Sequence, residues 1–551
     1  MTKTMQITWN GKPLKVNKGV TLQEIATRQQ KANEPLIVAA IVDNRVRELT
    51  YSPEKDSIVK PIDLSMKDGM RIYLRSLTFI FIRACKELFP ECKVSVEHSY
   101  GGGLYCEVYN TETLSPRVVS RIEQQMQTII DEDEPFGKTE VAMAEANQIF
   151  LEMGMEDKVE IMKYRKEDTI RVYRNGWMRD YLFGYMVPSA GYLRKFGLKF
   201  YLPGVILQYP SFEEPGKVRP FQDNPKLFKV FRQAEKWSDS QGIRNIADLN
   251  RCIEEGRGPD LVRISEAAQE KFFGSIADDI AQHTDAIRLI LIAGPSSSGK
   301  TTFAQRLRVQ LMVNGLHPVP ISMDNYYLDR DLVPVDEKGE QDLESIDAID
   351  LELFNEQMIR LIQGQRVEIP HYNFLTGKRE YLGNSIQLSQ TQPIIVEGIH
   401  GLNEKLTEMI PRENKYKIYI SALTQLNVDD HNRILTTDAR LIRRMVRDYH
   451  FRGTAVEDTL KMWRSVRRGE ERYIFPFQET ADIMINSALL YELAVLKPLI
   501  LPLLEAVPEE DAYFPEVNRQ KKFLKYFVEM DPEVIPSNSI LREFIGGSSF
   551  A

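Results

Sequence analysis

The chain has 551 residues, 43% of them hydrophobic, and at roughly 150 residues per domain this predicts three or four domains with cores of their own. The net charge of −8 disfavours a protein that coats nucleic acid, and four cysteines disfavour a disulfide scaffold. No apolar run approaches the roughly 18 residues of a membrane span, and the N-terminus lacks the apolar core of a secretion signal, so we expect a cytoplasmic protein. The pattern as a whole predicts a multidomain protein of α/β and α+β architecture.

The first predicted domain, residues 1–75, has the pattern of a β-grasp unit. The stretch QITWNGKPLKV predicts a hairpin with its turn at residues 10–11. Thr21 predicts a helix N-cap, with Glu24 as its capping-box partner. Two more strands are predicted around residues 43–44.

The second predicted domain, residues 76–215, mixes strands and helices. Residues 116–131 and 137–153 have helical patterns, the first with a serine cap and a proline at its first position. A polar, amphipathic segment at 216–285 predicts a helical linker.

The last predicted domain, residues 286–551, begins where the sequence pattern changes. Short apolar runs now alternate with helical patterns, which predicts a parallel sheet covered on both faces. The runs are RLILIA, HPVPIS, QPIIVEG and YKIYIS.

A phosphate-binding loop follows the first of these strands. The segment matches G-x-x-x-x-G-K-[ST] between a strand and a helix, the context in which backbone N–H groups and the helix dipole wrap phosphates. We expect Lys300 to contact the β and γ phosphates of ATP and Thr301 to bind Mg²⁺. The predicted nucleotide-binding residues are Gly294, Pro295, Ser296, Ser297, Ser298, Gly299, Lys300, Thr301 and Thr302. A guanine-specific N-K-x-D is missing, since Asn414-Lys415-Tyr416 ends in Lys417, and this disfavours a GTPase.

Two carboxylates follow later strands of the predicted sheet. Asp324 comes directly after the second strand, where a carboxylate can face the γ-phosphate and take a proton from an acceptor hydroxyl. Glu397 ends the strand PIIV, the place of a carboxylate that supports magnesium. The alternatives are an aspartate that caps a loop and a glutamate on the surface.

An arginine-rich stretch follows between residues 440 and 472. Arg440, Arg443, Arg444 and Arg447 have helical spacing and share one stripe. Such a stripe suits a lid that closes on phosphates and neutralises transition-state charge. The alternative is a solvated basic face.

Together these motifs resemble the uridine kinase and phosphoribulokinase family of P-loop kinases, over about half the chain. The resemblance implies that Asp324 is the catalytic base, assisted by Lys300, and that Glu397 is associated with magnesium, alongside Thr301 and Asp324. It also implies a nucleoside site with Tyr372 on the base and Glu344 on the ribose. The motifs are the P-loop, DNYY, LESIDAIDLELF, IPHYNFLTGKR, VEGIHGLN and TDARLIRRMVRD followed by FRG.

The same resemblance places Arg440 and Arg443 in the substrate and lid region, with Arg443 as a catalytic group. One position departs from the family. Uridine kinases carry a histidine that reads the pyrimidine five residues after the tyrosine, and this chain has Gly377 there. Tyr372 has the alternative of a core or turn tyrosine.

The N-terminal half resembles threonyl-tRNA synthetases. Residues 1–75 are similar to their TGS domain, and residues 76–215 to the editing domain that follows it. The editing histidine pair is replaced by the stretch that begins at Arg75, and the later Cys/His pair is missing from residues 181–186, so we expect no editing hydrolysis. The cysteines of this half have no common metal-site spacing and are expected to be buried thiols.

The leading hypothesis is an ATP- and Mg²⁺-dependent kinase of a small-molecule hydroxyl, first of all the 5′-OH of uridine or cytidine. The second keeps the kinase and changes the acceptor to a sugar phosphate or another alcohol. The third is a nucleotide-switched RNA-binding protein, which the acidic balance disfavours. We expect a homo-oligomer whose N-terminal half regulates the kinase or mediates assembly.

Overall fold

The N-terminal part of the computed structural model is a five-stranded mixed sheet with one helix against it. The structure describes residues 4–335, 341–342, 344–389, 391–424 and 426–550. The sheet order is β2-β1-β5-β3-β4, with β1 and β5 parallel and the other pairs antiparallel. The capping box between Thr21 and Glu24 is confirmed, as is the hairpin turn at residues 10–11, where both backbone φ angles are positive. The elements are β1 (Thr4–Trp9), β2 (Lys12–Asn17), α1 (Leu22–Gln29), β3 (Ile37–Val42), β4 (Arg45–Glu48) and β5 (Ser57–Asp63).

The next part of the chain packs helices against two antiparallel sheets, of order β11-β12-β7-β6 and β10-β9-β8. The elements are α2 (Lys67–Leu88), β6 (Lys93–Tyr100), β7 (Gly103–Tyr109), α3 (Pro116–Glu132), β8 (Gly137–Ala142), α4 (Met143–Glu152), α5 (Glu156–Met162), β9 (Thr169–Asn175), β10 (Met178–Asp180), β11 (Gly197–Tyr201) and β12 (Gly204–Gln208).

Two predictions for this part need correction. The segment 137–153 is not one helix, because residues 137–142 pair with β9 as strand β8 and the helix begins only at Met143. Pairing with a neighbouring strand outweighs local helical preference here. The domain boundary predicted at 75/76 falls inside helix α2, which runs unbroken from Lys67.

Three helices lead to the last domain: α6 (Pro225–Ser240), α7 (Ile246–Glu254) and α8 (Gly258–Ala281). They confirm the helical character predicted for residues 216–285. In α7 the side chain of Asn245 caps the helix and Asp248 closes a capping box.

The last domain is built on a five-stranded, all-parallel sheet of order β14-β19-β13-β20-β23. The strand β13 is buried along its whole length, as the apolar run predicts. The elements are β13 (Leu289–Ala293), α9 (Lys300–Val313), β14 (Val319–Ser322), α10 (Leu351–Ile362), β15 (Val367–Glu368), β16 (His371–Asn373), β17 (Lys378–Glu380), β18 (Ser385–Ile386), β19 (Ile394–Glu397), β20 (Lys415–Ser421), β21 (Asn427–Asp429), β22 (Asn432–Arg433), α11 (Thr436–Arg452), α12 (Val456–Tyr473), β23 (Ile483–Asn486), α13 (Glu492–Glu505), α14 (Phe514–Leu524) and α15 (Arg542–Ile545).

A buried charge cluster joins the N-terminal half to the last domain. Lys158 lies 2.8 Å from Asp429 and 3.2 Å from Asp180, and His431 contacts Asp180 at 2.7 Å. Lys158, Asp180 and Asp429 have no exposed surface. Because breaking such a cluster leaves an uncompensated buried charge, it fixes how the two halves meet. Within the described ranges, no helix combines the length and apolar character that a membrane crossing needs.

Candidate active site

The P-loop connects β13 to α9 and lies close to the neighbouring strand. A Cβ on Gly294 would stand 2.0 Å from the carbonyl oxygen of Ile420, so only glycine lets the loop start here. Gly299 has φ +84° and Ser297 has φ +60°, left-handed conformations that turn the chain into the helix. The side-chain hydroxyls of Ser297 and Ser298 are buried and have no hydrogen-bond partner among the described residues.

The functional groups of the loop contact its own backbone and one carboxylate. The Nζ of Lys300 donates to the carbonyl oxygens of Gly294 at 2.9 Å and Pro295 at 3.2 Å. The hydroxyl of Thr301 donates to Oε1 of Glu397 at 2.9 Å. The sequence-predicted pair for magnesium is thus brought together.

Strand register places Asp324 and Glu397 at the same edge of the sheet as the P-loop. In the parallel ladder Glu397 is aligned with Ile292 on one side and Ser322 on the other. Asp324 follows in the 3-10 turn Met323–Tyr326, with its N–H donated to the Ser322 hydroxyl at 3.3 Å. This is the carboxyl edge, where ligands of open parallel sheets bind.

The cleft changes the acidity of these groups. Desolvation raises the pKa of Asp324, and the nearby charge of Lys300 acts in the opposite direction. Desolvation also raises the pKa of Glu397, against the effects of Lys300 and the Thr301 hydrogen bond. The pKa of Lys300 is lowered by desolvation, which Glu397 and Glu543 oppose.

The arginine stripe supports the P-loop from its buried side. The Nε of Arg440 donates to the Ser296 carbonyl oxygen at 2.9 Å, and its guanidinium pairs with Glu470. Arg443 donates to Ser487 O at 3.0 Å and pairs with Glu492. Arg440 is 1% exposed and Arg443 is not exposed at all.

The expected roles of these arginines therefore change. With both guanidinium groups paired and buried, Arg440 and Arg443 hold the loop and do not reach the acceptor side of the cleft. The alternative of a solvated basic face is also wrong for them. Arg444 has a similar position, since its Nη1 donates to the Ser296 hydroxyl at 2.8 Å.

The acceptor side of the cleft is aromatic. Tyr372, on the short hairpin β16–β17, is 3% exposed and its hydroxyl has no hydrogen-bond partner among the described residues. Its ring lies 5.5 Å from Tyr327 and 5.0 Å from Phe374 between centroids. Tyr327 belongs to the DNYY motif, but no sequence pattern assigned it to the site. Desolvation and the charges of Asp324 and Glu344 raise the pKa of Tyr327.

Glu344 faces the same cleft from a turn that packs on α12. A Cβ on Gly469 would stand 2.9 Å from the Cβ of Glu344, so the two segments touch. Desolvation and the charge of Glu470 raise the pKa of Glu344. The preceding residue of the motif, Leu343, lies outside the described residues.

Gly377 has a structural reason to be glycine. Its φ is +68°, and a Cβ there would stand 2.8 Å from the Cβ and Nε of Arg330. Arg330 crosses this position and donates to the Phe374 carbonyl oxygen at 2.8 Å. Arg330 therefore packs directly on Gly377 at this end of the hairpin.

The C-terminal segment contacts the P-loop in a way that the sequence did not predict. Glu543 of α15 accepts hydrogen bonds from the Thr302 hydroxyl at 3.0 Å and from its backbone N–H at 3.3 Å. A Cβ on Gly299 would stand 2.4 Å from Cγ2 of Ile540. No local motif marks either residue, because both are more than 200 positions from the loop.

The residues of this edge fit a magnesium nucleotide. Mg²⁺ prefers hard oxygen ligands and is held by one or two carboxylates together with phosphates, which suits Thr301, Asp324 and Glu397. Unpartnered serine hydroxyls and the turned P-loop amides suit phosphate. No cluster of three or more His, Cys, Asp or Glu that could hold a metal occurs in the described part of the chain.

Three cysteines and one histidine of the N-terminal half are buried in its interior. Cys85, Cys92 and Cys106 are buried free thiols, as expected, and desolvation raises the pKa of all three. His98 is buried and stacks on Phe231 with ring centroids 3.7 Å apart.

The last domain thus combines an all-parallel sheet with a P-loop between its first strand and first helix. Residues 289–492 match the Phosphoribulokinase / Uridine kinase family. This part of the chain is therefore similar to the P-loop kinases of that family. Solved structures with a likeness include a possible uridine kinase from Bacillus stearothermophilus, at 17% identity, TM-score 0.26, over 36% of this chain and 89% of that one. Another is D-glycerate 3-kinase from Cryptococcus neoformans, at 14% identity, TM-score 0.23, over 49% of this chain and 90% of that one.

The N-terminal half is similar to threonine–tRNA ligases. The ligase of Clostridium kluyveri is 31% identical over 183 residues, which are 33% of this chain and 29% of that protein. The ligase of Symbiobacterium thermophilum is 28% identical over 181 residues, 33% of this chain and 28% of that protein. The chain thus spans less than a third of the length of these curated relatives.

Proposed function

We propose that the protein is an ATP- and Mg²⁺-dependent kinase that phosphorylates a hydroxyl of a small molecule, first of all the 5′-OH of a pyrimidine nucleoside. The observation that carries the proposal is the set of groups at one sheet edge. Lys300, the Thr301–Glu397 pair and Asp324 meet there, with an aromatic cleft beside them.

Each group has a definite task in this reaction. Asp324 accepts the proton of the acceptor hydroxyl, whose oxygen then bonds to the γ-phosphorus while the bond to the β–γ bridging oxygen breaks. Lys300 moves from the loop carbonyls to the phosphates and balances their charge. Thr301 and Glu397 would hold Mg²⁺, which neutralises phosphate charge when bound.

The acceptor cleft supports a nucleoside as the substrate. Tyr327 and Phe374 offer flat apolar faces to a base and are supported by the buried Tyr372 ring, and such stacking is worth about 0.5–1.5 kcal/mol beyond area burial. Glu344 offers a carboxylate to the two ribose hydroxyls. The unpartnered Tyr372 hydroxyl leaves one hydrogen-bonding group for the ligand.

One observation favours a second candidate, an acceptor with a phosphate of its own. Arg330 packs on Gly377 and carries a charge that a phosphate would satisfy. The arginine stripe gives no such support, because Arg440 and Arg443 are already paired with Glu470 and Glu492.

The experiment is ATP consumption by the full chain against a panel of acceptors. The panel contains uridine, cytidine, adenosine, guanosine, ribulose 5-phosphate and pantothenate, each with Mg²⁺ and with EDTA. We expect Mg²⁺-dependent turnover with uridine or cytidine. Turnover only with ribulose 5-phosphate would replace the first candidate by the second, and acceptor-independent hydrolysis alone would overturn both.

Arg330→Gln separates the two candidates further. It should leave the KM of a nucleoside within about threefold, because an exposed charge contributes little to a neutral ligand. A phosphorylated acceptor should lose affinity by about tenfold or more, because it loses a charge-assisted hydrogen bond.

A further inference from the structure

A large cavity lies away from the P-loop, between helix α2 near the start of the chain and helix α14 near its end. Its volume is about 600 Å³, within the range of small-molecule sites. Strand β4, strand β9 and the loop 181–185 complete the wall. We refer to it as the α2–α14 cavity.

The wall of this cavity has more positive than negative charge. Nine cationic side chains line it, against five carboxylates, although the chain as a whole is acidic. The cations are Arg45, Arg47, Arg71, Arg75, Arg165, Arg171, Arg519, Lys522 and Lys525, and the carboxylates are Asp68, Glu140, Glu167, Glu509 and Glu516. Arg519 is also paired with Asp438, which does not line the cavity, so three positive charges of the wall remain without a balancing carboxylate.

Three of the cations, Arg47, Arg75 and Lys522, have no carboxylate partner among the described residues. Arg75 is half-buried and donates to the Tyr185 carbonyl oxygen at 2.9 Å. Desolvation lowers its pKa to about 10, and Arg71 and Arg519 lower it further. Desolvation together with Arg171, Arg165 and Lys525 lowers the pKa of Lys522. An anion bound in the cavity would raise both pKa values again.

The backbone is shaped around the guanidinium of Arg75. Gly184 has φ +132°, and a Cβ there would stand 2.4 Å from Cζ of Arg75. A side chain at this position would displace the guanidinium from its place in the wall. The missing side chain at Gly184 therefore leaves room for the Arg75 guanidinium at the edge of the cavity.

Aromatic rings line the same space. Phe183 and Tyr185 are half-buried in the wall, and the Phe183 ring lies 6.4 Å from Tyr526 between centroids, edge to face. Flat rings beside guanidinium groups favour a ligand that combines negative charge with an aromatic ring. Guanidinium forks bind phosphate in two-point geometry.

We propose that the α2–α14 cavity is a binding site for a small organic phosphate of the nucleoside phosphate class, held by Arg75 and Lys522 and separate from the P-loop. Phosphate groups balance the excess charge of the wall, and the ring lies against Phe183. This proposal is independent of the acceptor that is phosphorylated at the P-loop.

The test counts binding sites in the full chain by isothermal titration at low salt. The probes are UTP, ADP and inorganic tripolyphosphate. Lys300→Ala removes the phosphate contacts of the P-loop, and Arg75→Gln with Lys522→Gln removes those of the cavity. We expect two nucleotide sites in the wild type, one in either variant and none in the combination.

The Lys300→Ala background gives the decisive comparison. There, Arg75→Gln with Lys522→Gln should weaken UTP or ADP binding by about tenfold or more, because charge-assisted hydrogen bonds are lost. Arg263→Gln, an exposed and paired arginine on α8, is the matched control and should change nothing. No binding of any probe to the Lys300→Ala protein, or equal binding after the cavity substitutions, would overturn the proposal.

A further variant, Phe183→Ala, tests the contribution of the aromatic ring without changing a charged residue. Phe183→Ala should weaken nucleotide binding and leave tripolyphosphate binding unchanged. Tripolyphosphate that binds as tightly as UTP and ADP would overturn the nucleoside class. If Arg75→Gln fails to fold, as judged by its thermal melt, the exposed Lys522→Gln alone must weaken binding, and Arg75→Lys must keep it.

Discussion

At the P-loop, Arg440 and Arg443 each pair with a buried carboxylate, whereas in the α2–α14 cavity Arg75 and Lys522 have no carboxylate partner within the described ranges. The first pair of arginines is fixed before any ligand arrives. The second pair of cations keeps its charge available. The role of an arginine therefore depends on the carboxylates around it and cannot be read from the residue type alone.

The two sites also differ in whether a protein carboxylate already occupies the position of an anion. The P-loop already has a protein carboxylate on its helix N-terminus, since Glu543 accepts from Thr302. The cavity has no such arrangement at Arg75. We therefore expect the P-loop to keep its shape without ligand and the cavity to gain stability from one.

The largest expected effect comes from removing a paired arginine. Arg443→Met should lower the free energy of unfolding by about 3–5 kcal/mol, because it leaves the Glu492 carboxylate buried without its charge partner. Arg75→Met should change it by about 1 kcal/mol or less, because only a hydrogen bond to a backbone carbonyl is lost. Urea unfolding of both variants measures the difference, and equal losses would contradict the comparison.

The next effect concerns catalysis at the sheet edge. Asp324→Asn should lower kcat by about a hundredfold or more and leave the KM of ATP nearly unchanged, because the amide cannot accept the proton. A coupled assay of ADP release with the best acceptor of the panel gives both constants. Asp331→Asn, an exposed aspartate in the same segment, is the control, and near-normal turnover of the Asp324 variant would remove it from the mechanism.

The acidic limb of the pH profile follows from the raised pKa values. Asp324 works in its charged form, and desolvation raises its pKa, so it is protonated at a higher pH than an ordinary aspartate. The kcat/KM should therefore fall by about tenfold per pH unit below a midpoint higher than about 4. A midpoint at or below that of a free aspartate would show that Asp324 is solvated in the working enzyme.

The smallest effect concerns the C-terminal carboxylate on the P-loop. Glu543→Gln should lower the KM of ATP by about threefold, because a negative charge next to a phosphate at a helix N-terminus is removed. Glu533→Gln, an exposed residue of the same segment, is the control. A higher KM in the Glu543 variant would mean that the carboxylate supports the loop and does not compete with the nucleotide.

The parts of the site that lie close together in sequence could be predicted. The P-loop is a continuous motif, and Asp324 and Glu397 follow from the rule that parallel strands end at one edge. The hairpin and capping box of the first domain are equally local. In contrast, β8 was predicted as helix because its pairing with β9 depends on residues about 30 positions away.

The roles of the arginines could not be predicted from spacing. Helical spacing correctly placed Arg440 and Arg443 on one face, but the partners Glu470 and Glu492 lie 30 and 49 residues further along the chain. Spacing on a helix says which residues share a face and does not say what covers that face. The same limit applies to Glu543 and Tyr327.

The two walls of the α2–α14 cavity come from opposite ends of the chain. Arg71 on α2 and Glu516 on α14 are in contact across 445 residues of sequence. At about 5–20 residues per second of synthesis, roughly 20 to 90 s pass between the appearance of the first wall and that of the second. For that interval the nascent N-terminal half carries an uncovered row of arginines, and the cavity closes only after helix α14 has been synthesised.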